Sequence, residues 1–421
     1  MSSVAEKDPE RFAKLALQFP EEVYPGYISA VLRALSKKAD ASQNVDTELT
    51  CHVVRHFQNN TSEETRKEIA RIVESRADEV WPEDILELVA RISQLSQKPF
   101  PSQNDEKPLA RKLHTAILNQ PRGCALIAIS KLLWNHSELL DYFKQILVDA
   151  SNDESDSVRF AAIGCIAQYY NSEPEFCLST FRHILVLDSR SLISQFAWHL
   201  IYKDFVNNPE FYRDQLCAAC KSEMTDLSEH AASYICALAI YYNDLELQNY
   251  ILTASHNASA VAGIVHQAAY SFDDEEYNEI SVAILLNIAN RYECEMGSFR
   301  HNFFRDKIIL SRDQAFLISL LQSKSKLGLM PDFLKYLRDV DENISVFADL
   351  LKILSAELPN EHETYKQRKM VKDLIQCVIR LFDRGKDDPH IRCVCLDIWD
   401  DMFKSNLQDI RPLAVLIDNF D

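Results

Sequence analysis

The sequence predicts an all-helical protein, and three observations carry that reading. Glycine is scarce: 7 of 421 residues, where average usage would give about 29. Such a shortage argues against glycine-rich phosphate loops, tight hairpins and repeated strand-to-helix turns. The apolar residues recur with a helical period. Prolines stand where helices begin. At 47% hydrophobic residues, the chain can bury a sizeable core across two or three ordinary domains or one long repeat array.

Taken in order, Pro9, Pro82, Pro174 and Pro209 are each followed by Glu, and Pro331 by Asp. Proline suits the first helical turn, where its missing N–H is no loss, and an early carboxylate suits the positive end of the helix dipole. Asp8 and Asn208 stand in front of such prolines as caps. Residues 1–95 read as an N-terminal helical group. Residues 96–107, SQKPFPSQNDEK, hold two prolines and no period, and read as a linker. Residues 108–291 read as helical repeats, and 292–421 as C-terminal helical repeats with a less clear period. An irregular stretch is expected near 292–308, around Gly297. The run Asp273-Asp274-Glu275-Glu276 reads as a solvated helix start, since an EF-hand would need Gly and spaced acceptors.

The repeats show in the middle of the chain. Val158, Ala162, Cys165, Ile166 and Tyr169 form one apolar stripe, and Cys177, Phe181, Ile184 and Leu185 form the next. Leu192, Phe196, Leu200 and Lys203 continue the step, with Trp198 and Ile201 on a second apolar face, the pattern of a helix packed on both sides. Pro174-Glu175-Phe176 recurs as Pro209-Glu210-Phe211. Units are expected at 121–150, 156–187, 189–221, 227–254 and 256–291, a spacing that matches helix-pair repeats. Asp153 to Ser157 followed by Val158-Arg159 resembles the inner-helix opening of HEAT repeats. The expected architecture is therefore all-α, a HEAT-like helical-repeat solenoid, or αα superhelix.

The charge balance is 45 − 63 = −18, with a pI near 5.2. So acidic a surface repels a phosphate backbone, and no basic run exceeds a pair such as Lys37-Lys38. No apolar stretch approaches the ~20 residues of a membrane span, and the opening MSSVAEKDPERF lacks a signal-peptide core. The eleven cysteines sit mostly in apolar helical patterns, Cys165, Cys236 and Cys377 among them. They read as reduced and buried, in a cytoplasmic protein.

Chemistry-bearing motifs fall short of a reaction. Cys217-Ala-Ala-Cys220 is a CxxC late in a helix, where a shared apolar face is the leading reading, ahead of half a zinc site or a redox pair. Cys393-Val-Cys395 has the wrong spacing for one helix face. His52 and His56 share a face, but Val53 stands where a zinc peptidase carries its general base. His199 and His266 read as core or groove residues. Neither GxSxG nor GxxxxGK[ST] occurs. No catalytic residue, cofactor or metal is expected.

Arg122, Arg159 and Arg190 open three successive inner helices. Two readings stand together. The arginines pair with Asp153, Asp156 and Asp188 as a ladder between repeats, or they line a groove for an acidic partner.

A further resemblance runs through the chain in order. Asp8-Pro9-Glu10-Arg11-Phe12-Ala13 with Leu15-Ala16-Leu17 and Phe19-Pro20 resembles a segment of large bacterial P-loop NTPases of the STAND type. Asn119-Gln120-Pro121-Arg122-Gly123-Cys124-Ala125, leading into Ile129 and Leu132-Leu133, resembles a repeat opening in the same region, and Asp156-Ser157-Val158-Arg159 follows. Ile379-Arg380-Leu381-Phe382 and Arg392-Cys393-Val394-Cys395-Leu396-Asp397-Ile398 resemble its closing helices. The resemblance implies the C-terminal helical-repeat sensor of such proteins, several of which act in defence against phage. The NTPase module itself has no counterpart here, so no nucleotide site carries over. Phe12, Leu15, Leu17 and Phe19 start an apolar helix at once, and array ends usually carry a polar cap; this favours a piece of a longer protein over a stand-alone relative.

The expected function is a non-enzymatic protein-binding scaffold or sensor arm, with a protein partner, no nucleic acid and no membrane; the resemblance implies an NTPase module in the same or a neighbouring chain. Exposed aromatics and arginines would anchor the partner. A nucleic-acid reader or base-excision enzyme on HEAT-like helices is the alternative, disfavoured by the charge. A hidden metallohydrolase using His52, His56 or the Cys217 pair is the third.

Overall fold

The computed structural model describes residues 2–20, 23–36, 45–95, 109–293, 301–339, 344–356, 365–385 and 387–404. Among these the chain is helical throughout, with no strand. It forms two compact units, residues 1–215 and 216–421. The linker expected at 96–107 and the loop centre at Gly297 lie outside the described residues.

The first unit contains α1 (Ser2–Ala5), α2 (Pro9–Ala16), α3 (Pro25–Ser36), α4 (Thr47–His56), α5 (Glu63–Ser75), α6 (Glu83–Ser93), α7 (Leu109–Asn119), α8 (Pro121–Asn135), α9 (Leu140–Ser151), α10 (Asp156–Ile166), α11 (Pro174–Leu187) and α12 (Ala197–Asp204). Helix α13 (Pro209–Cys220) runs across the division. From α2 to α11, α7 set aside, the helices pack each on its second neighbour. One row runs α3, α5, α8, α10; the other runs α2, α4, α6, α9, α11. Two rows of stacked helices, each repeat touching only its neighbours, make a helical-repeat α solenoid. Helix α7 belongs to neither row and lies against α8 and α10.

The local reasons are visible in the sequence. Asp8 accepts a hydrogen bond from the Arg11 N–H at 3.3 Å, with Pro9 at the first helical position. Pro174 and Pro209 open α11 and α13, while Pro82 caps α6 from just outside. The Asn208 side chain turns to Asp204 at 2.9 Å. Val158, Ala162, Cys165, Ile166 and Tyr169 are all buried, as are Cys177, Phe181, Ile184 and Leu185. The valine, isoleucine, leucine and phenylalanine among them contribute about 1.5–3 kcal/mol each when removed from water.

The second unit contains α14 (Thr225–Tyr241), α15 (Leu245–Thr253), α16 (Ala258–Tyr270), α17 (Asn278–Arg291), α18 (His301–Lys307), α19 (Leu310–Leu321), α20 (Lys326–Asp339), α21 (Ile344–Ser355), α22 (Tyr365–Gly385) and α23 (Pro389–Lys404). The same alternation holds: α15, α17, α19, α21 and α23 stack in one row, and α18, α20 and α22 in the other. Helices α14 and α16 approach closely because Gly263 lets the α16 backbone come up against the α14 backbone at Glu229 and Ser233.

Four sequence expectations are corrected. Pro331 does not begin a helix; it lies inside α20, which starts at Lys326. Burial of Leu329 and Met330 outweighs the hydrogen bond that proline removes. Residues 301–307, read as irregular, form α18, anchored by buried Phe303 and Phe304. The continuous helix expected from Leu192 to Lys203 is broken: a 3-10 turn at Ser189–Ile193 precedes α12. The acidic run 273–276 is exposed as expected, but it forms the turn before α17, which begins at Asn278.

Candidate functional site

The openings of α8 and α10 and the 3-10 turn at Ser189–Ile193 carry Arg122, Arg159 and Arg190. Arg122 pairs with Asp153 and donates from Nε to the Ser93 carbonyl at 3.0 Å. Arg159 reaches Asp188 at 3.1 Å and also donates to the Asp153 carbonyl at 2.5 Å. Arg190 bonds Asp188 at 2.7 and 2.8 Å and Asp156 at 3.0 Å. Rungs therefore run from Arg122 on α8 to the loop after α9, and from Arg159 on α10 to the cap after α11, each joining one repeat to the next. Burial by itself would raise the Asp188 carboxyl, but hydrogen bonds from Arg190 and Arg159 hold it below the usual carboxylate range. The Asp188 hydrogen bond raises Arg190 further. Of the three side chains Arg190 is the most open, at 30% against 12% and 11%.

The same helices build a groove of about 530 Å³. Its walls come from α7 (Ala110, His114, Ile117), α8 (Ile127, Ser130, Lys131, Trp134), α10 (Phe160, Ala161, Gly164), Gln168 in the 3-10 turn Ala167–Tyr169 that follows, and the segment Ile193 to Phe196. Gly164 sets the floor: a Cβ there would stand 3.2 Å from the Phe196 ring and 3.4 Å from Ser130 Oγ. Its carbonyl accepts from Ser130 Oγ at 2.9 Å and from Gln168 Nε2 at 3.0 Å, which ties α8 to α10 beneath the groove. Trp134 stands 73% exposed at the end of α8. A further aromatic group follows on the next helices. Tyr170 meets the His199 ring edge at 5.5 Å, Trp198 meets Tyr202 at 5.7 Å, and Lys203 Nζ lies over both tyrosine rings. Glu74 on α5 lies within electrostatic reach of Lys131 and His114; burial raises its carboxyl.

The remaining motifs are placed apart. Cys217 and Cys220 end α13, with Cys220 buried and its thiol raised by burial. Tyr250 donates to the Cys217 carbonyl at 3.5 Å. His52 is exposed, while His56 contacts the Phe19 carbonyl at 2.7 Å, so the pair does not converge. Among the described residues no three or more His, Cys, Asp or Glu gather as a metal site. His199 and His266 are exposed rather than core residues, because each falls on the outer side of its helix stripe. No helix among the described residues is long and apolar enough to cross a membrane.

Sequence reasoning named the arginines and the acids of the ladder. It does not reach the groove, since the repeat units begin at 121 and the role of residues 109–119 depends on where α7 docks. The available signal was LARKLHTAILN, a helix-length segment with three basic or imidazole side chains and no acid.

No family model matches the sequence, and no curated protein matches it. Among solved structures, a crystal structure of a Kap121p mutant is similar over 100% of this chain, at 13% identity and a TM-score of 0.34. This chain spans 54% of that one, about half its length. The solenoid assignment stands on the helix packing itself.

Proposed function

We propose that the chain is a non-enzymatic protein-binding scaffold built from helical repeats. One observation carries the reading. The row of α8, α10 and the turn after α11 is not sealed, and with the inserted α7 it bounds a groove with apolar walls and an exposed Trp134 at its rim. Ligand sites combine such walls with a few placed polar groups, and tryptophan and arginine are frequent anchors of interfaces. Arg122, Arg159 and Arg190 open the same elements. Arg190 is the one of the three with most surface left for a partner beyond its bonds to Asp156 and Asp188.

The fuller reading is a sensor arm of a STAND-type NTPase system in antiphage defence, working in the cytoplasm. It is supported by the ordered sequence resemblances alone. A blot of source cells with an antibody to residues 108–421 tests it. A band far above 48.4 kDa supports a longer NTPase-bearing chain, and a band at that mass sends the search to a neighbouring chain.

The scaffold reading is tested by affinity capture from source-cell extract in EDTA without added nucleotide. The expected result is a stoichiometric protein complex that survives gel filtration and nuclease treatment. A complex that forms only with added zinc, or that nuclease dissolves, overturns it. Nuclease sensitivity would instead favour the nucleic-acid alternative, against which the net charge of −18 stands.

A further inference from the structure

The groove differs in charge from the rest of the molecule. Acids outnumber bases 63 to 45 over the whole chain. None of the groove-lining residues is Asp or Glu, while Lys131 and His114 stand exposed on its rim. Helix α7, which supplies one wall, adds Arg111 and Lys112 and carries no acid. Among the described residues Lys131 is in no ion pair, although Glu74 lies within its electrostatic reach. The interior is apolar: Ile127, Phe160 and Phe196 are half-buried and turn toward it, and Trp134 stands open at one end.

We propose that this groove binds an extended, acidic segment of a partner protein, with a large apolar side chain seated against Trp134 and its carboxylates facing Lys131 and the His114 ring on its rim. The proposal rests on the protein-binding reading above and names the partner chemistry. Charge complementarity selects the occupant. A basic segment would meet Lys131 with no carboxylate in the lining to answer it, whereas an acidic one is steered toward that side chain. The volume suits a few side chains rather than a folded domain. The exposed Gln195 side chain on the rim offers an amide to the backbone of an extended segment.

The test is selection of a phage-displayed random peptide library on the full chain, with Lys131→Glu and Trp134→Ala as parallel targets. Both residues are exposed, so each variant is expected to fold; circular dichroism verifies this before selection. The expected winners carry Asp or Glu beside a large apolar residue. Synthetic copies bind the wild type with an affinity that falls as salt rises, and each variant weakens them by about tenfold or more. Winners that are basic, or acidic winners that bind both variants as tightly as the wild type, overturn the groove assignment and leave the scaffold reading in place. A selection that enriches nothing overturns this proposal. The scaffold reading falls separately, if extract capture also yields no complex.

Discussion

Arg159 donates to Asp188 at 3.1 Å, from the opening of one helix pair to the cap that ends it and begins the next. Asp188 also accepts from Arg190 and from the Arg190 backbone N–H at 3.0 Å. One carboxylate thus holds four N–H donors at a junction where helix α11 ends and the 3-10 turn starts. Replacing Asp188→Ala leaves Arg159 half-buried without its ion partner. The expected loss is about 3 kcal/mol, in the range for breaking a buried pair, measured by urea unfolding. Because the folded carboxyl is held below its ordinary value near 3.8, its contribution is present above that pH. It is lost as pH falls through the lower folded value, and Asp188→Asn should flatten that part of the acid-unfolding profile.

Asp204 is a second buried carboxylate, 1% exposed, bonded by Arg182 at 2.5 Å, Tyr212 Oη at 2.8 Å and Asn208 at 2.9 Å. Tyr212 is fully buried, and burial raises its phenol so that it stays a donor. Tyr212→Phe removes one of three partners without changing the packing, and should cost about 1–2 kcal/mol. Asp204→Ala strands Arg182 and Tyr212 together and should cost more. A ranking in which Tyr212→Phe is the worse of the two would contradict the network.

Gly263 lets α16 approach α14. A Cβ at that position would lie 2.1 Å from the Glu229 carbonyl oxygen and 3.0 Å from the Ser233 nitrogen, both backbone atoms. Backbone cannot swing aside as a side-chain tip can, so the helices must separate. Gly263→Ala is expected to destabilise by about 3 kcal/mol, the upper part of the overpacking range. This outcome reverses the small gain in helix propensity that the same change brings at an open position. Thermal melts of the two forms decide it.

His256 is buried behind Tyr250 and Tyr292, with Nε2 on the Ile251 carbonyl at 3.1 Å. Burial lowers its proton affinity below the ordinary value of 6.5, and Arg291 adds to that effect. The folded state therefore binds fewer protons than the unfolded chain. Stability is full above about pH 6.5 and falls as pH drops through the folded value. Urea midpoints taken from neutral to mildly acidic pH should show this slope, and His256→Gln should reduce it.

The thiols should divide by burial. Cys393 is exposed, whereas Cys165 and Cys236 are fully buried and the Cys177 and Cys377 thiols are pushed up to about 12. A thiol reagent should modify Cys393 in the native protein within minutes. The four buried cysteines should react only at the rate of unfolding, as mass spectrometry of timed samples would show. Native labelling of Cys165 would contradict the packing of α10 on α8.

Features set within a turn or two of chain were legible in the residues alone. Scarce glycine and prolines such as Pro9, Pro174 and Pro209 set helix class and several starts, because φ restriction and capping act within one turn. The stripe from Val158 to Tyr169 named its own buried face, because burial must follow the 3.6 period. The ladder from Arg159 to Asp188 was legible too, because each repeat places its charges at equivalent positions. The tertiary structure alone decided the rest. Pro331 sits inside α20 because Leu329 and Met330 are buried by neighbours far away in sequence. Phe303 and Phe304 hold α18 in a stretch with no local period. His199 and His266 lie outward on apolar helices, a distinction set by which neighbours stack on each face. The groove beside Trp134 exists only because α7 docks across α8 and α10, and no spacing within residues 109–119 states where a helix will dock.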